Sequence, residues 1–233
     1  MNKLTSIAVI PDGNRRYAAK TNTSLDAAYL AGFRKTEEFI KWSYENGVNS
    51  ASFWALSLEN FQKRSDGELD TIFKFMNQNI AKALSNSKTI SSYDCKVQFF
   101  GQLDLLPNKL RNDIQKLQDK TRDNKDYELN IAIAYSGQNE LAMAARKIAQ
   151  EVKIGALTLD EVTPEVFEKH LSFHKTPDLI IRTGDVQRTS GFLPFQAAYS
   201  ELYFSPKLWP EFTKTDFENA KTAYEQTERR FGK

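Results

Sequence analysis

Residues 7–18 read IAVIPDGNRRYA. Four apolar residues run straight into a proline, an acid, a glycine and an amide, and two arginines and a tyrosine follow. A short, unbroken apolar run is what a strand covered on both faces looks like. Such a strand ending in fixed charges puts those charges where a ligand is met.

The same pattern recurs along the chain. Strands are expected at Ile7–Ile10, Ser50–Leu56, Lys96–Gly101, Glu128–Tyr135, Asp178–Arg182 and Glu201–Phe204. Helices are expected over about 26–46, 66–86, 105–122, 138–153, 164–172 and 214–229. Strands alternating with helices predict an α/β fold, a single domain with a mostly parallel central sheet flanked by helices. The first five strands run into PDGN (11–14), SLEN (57–60), GQLD (101–104), SGQNE (136–140) and RTGD (182–185). Ligands of open α/β sheets bind beyond the carboxyl ends of the strands. The five polar tails are therefore expected to build one shared ledge.

Composition narrows the ligand. The 233 residues carry 32 Lys/Arg against 30 Asp/Glu, a net charge of +2, which excludes a general nucleic-acid coat. An anionic ligand must be held by a local cluster. With Cys95 the only cysteine, no internal disulfide forms and a reducing compartment is expected. His170 and His174 have no metal-binding motif around them and read as surface or packing residues. No apolar run approaches the roughly 20 residues of a membrane span, and no signal-peptide core precedes the first polar residues. A cytoplasmic location is expected, with peripheral membrane contact left open.

In the first tail, Gly13 lets backbone approach a ligand, and Arg15 and Arg16 offer multidentate positive charge suited to phosphate. Asp12 fits an anion site if a hard cation such as Mg2+ sits between the charges. The stretch also fits a plain turn in which Asp12 and Asn14 bond their own backbone. The fifth tail repeats the theme: Arg182, Arg188, Ser190 and two glycines fall within ten residues. Two clusters at one sheet edge suggest two phosphorylated ligands side by side. Neither a P-loop nor a dinucleotide fingerprint is present. Over 66–86, Leu69, Ile72, Phe73, Met76, Ile80 and Leu84 repeat at helical spacing. An ordinary core face is the simpler reading, and one wall of an apolar cavity the other.

PDGNRRYA, ALSLENF, DLIIRTGDVQRTSGFLPFQAAYSELYFSPKLWPEF and ERRFG, in that order, span residues 11 to 232. Together they resemble the cis-prenyltransferases, which include undecaprenyl and dehydrodolichyl diphosphate synthases, with variants closer to archaeal members. The resemblance implies a homodimer that condenses isopentenyl diphosphate onto an allylic diphosphate of farnesyl or geranylgeranyl type, forming cis double bonds. It implies Mg2+ on Asp12, with Glu201 as a second carboxylate. Gly13, Asn14, Arg15 and Arg16 would cradle the allylic diphosphate, and Ser57, Glu59 and Asn60 match the family's SxEN. Ser57 and Asn60 would position substrates and assist proton removal. Arg182, Arg188 and Ser190 would hold isopentenyl diphosphate, while Arg230, Phe231 and Gly232 would reach across the dimer.

This chain departs from bacterial members in places. Tyr29 and Leu25 stand where a histidine and an arginine are usual, and Lys63, followed by Arg64, takes the place of an arginine. Tyr29 and Leu25 keep a rival in play, an atypical prenyltransferase that makes one condensation or uses another acceptor. A non-catalytic partner subunit fits less well, since Asp12, Gly13 and Asn14 are all present.

Overall fold

The computed structural model describes residues 2–85 and 92–227. Six strands form one sheet in the order β3-β4-β2-β1-β5-β6, every neighbouring pair parallel. They are β1 (Ser6–Ile10), β2 (Ser50–Ser57), β3 (Cys95–Phe100), β4 (Tyr127–Tyr135), β5 (Leu179–Arg182) and β6 (Glu201–Phe204). All six lie within a residue or so of their expected positions. β1 sits between β2 and β5, so Ile7, Ala8 and Val9 are fully buried and no polar face interrupts the run.

Among the described residues the α-helices are α1 (Asn14–Thr21), α2 (Leu25–Glu45), α3 (Leu58–Lys63), α4 (Asp66–Leu84), α5 (Asn108–Thr121), α6 (Gly137–Lys153), α7 (Pro164–Lys169) and α8 (Lys214–Gln226). Two of them were not foreseen. α1 and α3 are 8 and 6 residues long, too short for a hydrophobic period to show and stable only through their neighbours. Both begin where a polar tail leaves its strand, and this turns the backbone amides of the tails toward the sheet's carboxyl edge.

The helices cover both faces of the sheet. On one face Phe39 of α2 makes edge-on contacts with Phe53 of β2 and Phe217 of α8, and lies 5.8 Å from the Trp209 ring. On the other face Tyr135, Phe100, Phe173 and Phe192 form a smaller core. α2 and α4 run side by side in the same direction. Tyr29 meets Glu68 near their N-termini, and Glu37 meets Lys82 farther along.

His170 bonds the Val166 carbonyl at 2.7 Å and Glu151 at 3.0 Å, as expected of a packing residue. No helix of the described residues is long and apolar enough to cross a membrane.

Candidate active site

Beyond Ile10 the chain turns sharply and α1 begins. The Asp12 carbonyl accepts from the Thr183 hydroxyl at 2.8 Å and from the Trp209 amide at 2.9 Å, fixing this turn to the fifth tail and to the C-terminal region. Gly13 precedes the helix at φ 116°, a left-handed conformation that any side chain would strain, and leaves no room against Leu208. No side chain caps α1. Its first amides, on Asn14, Arg15 and Arg16, therefore form a ready anion site at the positive end of the helix.

The Asp12 side chain stands between two arginines. Arg16 Nη2 donates to Oδ1 at 3.1 Å and Arg182 Nη2 donates to Oδ2 at 3.0 Å. Arg182 is buried at the end of β5; its Nη1 also donates to Ser190 Oγ and to the Arg188 carbonyl, both at 2.7 Å. Arg188 Nε reaches the same Ser190 oxygen at 3.3 Å. Ser190 is held at φ 53°, unusual for a residue with a Cβ. Its hydroxyl is thereby presented between two guanidinium groups.

The second tail closes the cleft from the other side. Ser57 caps α3 by accepting from the Asn60 amide at 3.0 Å. Burial disfavours the Glu59 carboxylate, but hydrogen bonds from its own backbone amide and from Ser136 and Ser57 outweigh this and hold it below its ordinary value. Ser57, Glu59, Asn60 and Arg64 line the same cleft as Asp12, Gly13, Asn14, Arg15, Arg16, Tyr29, Arg182, Arg188 and Ser190. Its volume is about 960 Å³, ample for two small phosphorylated molecules.

Beside the cleft lies an apolar cavity between α2, α4 and the sheet. Phe33 and Ile40 of α2, Ile72, Met76 and Ile80 of α4, and Ile131 and Ile133 of β4 face into it. Asn14 and Tyr29 line both spaces and mark their junction. There the Asn14 Oδ1 is buried with no hydrogen-bond partner. Both readings of the apolar face of 66–86 hold, for Ile72, Met76 and Ile80 belong to the core and wall the cavity at once.

The shared ledge is narrower than expected, and part of the expected site falls outside the described residues. The third tail, Gly101–Asp104, is not part of the cleft, because β3 is the sheet edge three strands from β1. The fourth tail contributes through Ser136 beside Glu59, while its Glu140 is buried and bonded to Tyr135, Ser172, Phe173 and Gln196. Glu201 is not near Asp12 within the chain. It opens β6 level with Leu179, whereas Asp12 lies beyond Ile10, which is level with Arg182. Three steps along a strand, each about 3.3 Å, separate the two levels before sideways distance is added. Arg230 and Gly232 lie outside the described residues.

Glu68 was missed. Its carboxylate accepts from the Tyr29 hydroxyl at 2.5 Å and lies 3.5 Å from Arg64 Nε and 3.9 Å from Arg15 Nε. Arg64 Nη1 donates to the Tyr29 hydroxyl at 2.8 Å. Burial, reinforced by the bond to Glu68, pushes the Tyr29 phenol above its ordinary value and keeps it a neutral donor. The sequence offered no sign of this, since an acid in the first turn of a helix is ordinary.

A prenyltransferase family model, described as "Putative undecaprenyl diphosphate synthase", matches residues 10–232. The chain belongs to the cis-prenyltransferase family. Similar proteins include the tritrans,polycis-undecaprenyl-diphosphate synthases (geranylgeranyl-diphosphate specific) of Thermoplasma acidophilum and Methanopyrus kandleri. Each is 38% identical over 229 residues, which is 97% of this chain and 88% and 84% of theirs. Among solved structures, lavandulyl diphosphate synthase from Lavandula x intermedia, in complex with dimethylallyl diphosphate, superimposes with a TM-score of 0.90 at 29% identity, covering 99% of both chains. A probable undecaprenyl diphosphate synthase from Campylobacter jejuni gives 0.80 at 30% identity over 100% of both. This cis-prenyltransferase thus shares its whole fold with enzymes of diphosphate-bearing isoprenoids.

Proposed function

We propose that this prenyltransferase condenses isopentenyl diphosphate onto a geranylgeranyl-type allylic diphosphate to make a Z-polyprenyl diphosphate, a lipid-carrier precursor. One observation carries the reading. Asp12 bridges Arg16 and Arg182, so two anion cradles meet at one carboxylate, directly beside an apolar cavity.

The donor's diphosphate binds at the α1 amides with Arg15 and Arg16, and its hydrocarbon tail enters the cavity past Asn14 and Tyr29. Isopentenyl diphosphate binds at Arg182, Arg188 and Ser190. As the donor's C–O bond breaks, the arginines and helix amides stabilise the departing diphosphate. The allylic carbon bonds to the isopentenyl double bond, and a proton leaves the new chain to a weak acceptor. Ser57 and Asn60, on the facing wall, orient the reacting ends and assist that transfer. Cysteine and histidine take no part, for neither residue type lines the cleft.

The donor set fits Mg2+. Among the described residues no group of three carboxylate, thiol or imidazole side chains gathers, so a pure protein cage is not the design. Asp12 is the carboxylate that would hold Mg2+, with substrate phosphates and water completing the ion's shell. When bound, the ion neutralises diphosphate charge and favours its departure. Glu201 joins it only if supplied by the second subunit of a homodimer, because its own Asp12 is too far away.

The enzyme acts as one catalytic domain in the cytoplasm, and its product supports peripheral contact with a membrane. The cavity encloses about 190 Å³. An engineered cavity of about 150 Å³ admits benzene, so this space accepts the first isoprene units of a tail. The test combines protein, Mg2+, labelled isopentenyl diphosphate and allylic diphosphates of increasing length, with and without EDTA. A metal-dependent ladder ending at one length is expected. The superposition on lavandulyl diphosphate synthase favours a second reading, a single condensation or another acceptor, and one short product would select it.

A further inference from the structure

The geometry points to Glu68 as a positioning residue for the allylic donor, acting through Arg15, Arg64 and Tyr29 at the junction between cleft and cavity. The inference deepens the proposed function and rests on it for the identity of the donor.

Glu68 is nearly enclosed, its side chain 8% exposed, and it does not line the cleft. A carboxylate removed from water is costly unless paired and hydrogen-bonded. Here the pairing is supplied by groups that do line the cleft: the Tyr29 hydroxyl, and the guanidinium groups of Arg64 and Arg15. Arg64 is the more sequestered of the two arginines, 17% exposed against 68% for Arg15, and it also lies over the Tyr29 ring.

The cluster carries two positive charges and one negative, leaving one net positive charge facing the donor's diphosphate. An arginine that must be ordered on binding loses side-chain freedom, and one already anchored does not. Glu68 holds Arg64 and draws in Arg15 from behind, leaving their outer edges for the ligand. Tyr29, a neutral donor bonded to the same carboxylate, fixes the collar through which the tail passes.

The test is direct binding by calorimetry, which needs no turnover. Geranylgeranyl diphosphate and isopentenyl diphosphate are titrated separately into wild type, Glu68→Gln, Glu68→Asp and Tyr29→Phe, with thermal unfolding of each as a control. Glu68→Gln should weaken geranylgeranyl diphosphate about tenfold while isopentenyl diphosphate stays within about twofold, since hydrogen bonds to charged groups are worth that much. Glu68→Asp should recover part of the loss, and Tyr29→Phe should show a smaller loss of the same selectivity. Unchanged or tighter donor binding in Glu68→Gln overturns the inference, because the carboxylate would then merely compete for the arginines. Equal weakening of both ligands overturns it as well, as general damage. If Glu68→Gln does not fold, Tyr29→Phe decides on the same criterion. Wild type that binds the donor but does not condense it would overturn the proposed function and leave the role of Glu68 standing; failure to bind the donor overturns both.

Discussion

The Asn14 side chain fills the space where a methyl group on Gly32 would stand. The two residues belong to different helices, α1 and α2, and the contact sets how close those helices come at the junction of cleft and cavity. Gly32→Ala must therefore push Asn14 aside. Overpacking of this kind costs about 1–3 kcal/mol. A modest fall in melting temperature is expected, with a much larger fall in kcat/KM, read from paired thermal and kinetic measurements.

Asp12→Asn keeps the shape of the side chain and removes the charge between Arg16 and Arg182. Turnover should drop by about two to three orders of magnitude, the usual consequence of losing one charge-stabilising group at a reacting centre. The protein should remain folded, because Asp12 and Arg16 are partly exposed and the buried Arg182 keeps its bonds to Ser190 and to the Arg188 carbonyl. Circular dichroism beside a Mg2+ titration of activity checks both halves. Near-normal, metal-dependent turnover would sink the assignment of Asp12.

Ala83 lines the cavity near the end of α4, about three turns beyond Ile72. Ala83→Leu fills the far end of the space without touching the cleft. The product ladder should shift toward shorter chains, with the KM for isopentenyl diphosphate unchanged. Chromatography of products made with one donor gives the answer.

Alkaline pH should weaken the fold through Cys95. Burial pushes its thiol up to about 12, against 9.0 for the exposed group. A group whose pKa is raised on folding contributes its full stability below its unfolded value and loses it as pH climbs toward the folded one. The loss thus begins near pH 9 and continues toward pH 12, amounting to about 1 kcal/mol at pH 10. Burial raises the Tyr127 and Tyr135 phenols too, and they act in the same direction. Urea midpoints at pH 8 and pH 10 should fall further for wild type than for Cys95→Ala.

What could be read in advance was whatever repeats. All six strands followed from apolar runs bounded by polar turns, and α2, α4 and α6 from their periodic faces. The first, second and fifth tails converge as the parallel order demands. The third fails to join because sequence pattern does not reveal strand order, and β3 turned out to be an edge. Glu201 was carried over by resemblance alone; its level on β6 depends on register, which no motif encodes. Glu68 and the helices α1 and α3 lacked any period or unusual composition. Their roles arise from contacts between elements distant in sequence, such as Tyr29 with Glu68.

Trp209 ties two carbonyls together, its backbone amide on Asp12 and its ring nitrogen on Gly32 at 2.9 Å. β1 likewise leans on β5, some 170 residues later in the chain. On the ribosome the first motif is therefore made early but stays unbraced until residues near 210 have left the exit tunnel. Such long-range closure slows folding. A truncated product ending before Trp209 would carry the PDGN sequence, yet lack the mould that gives it shape.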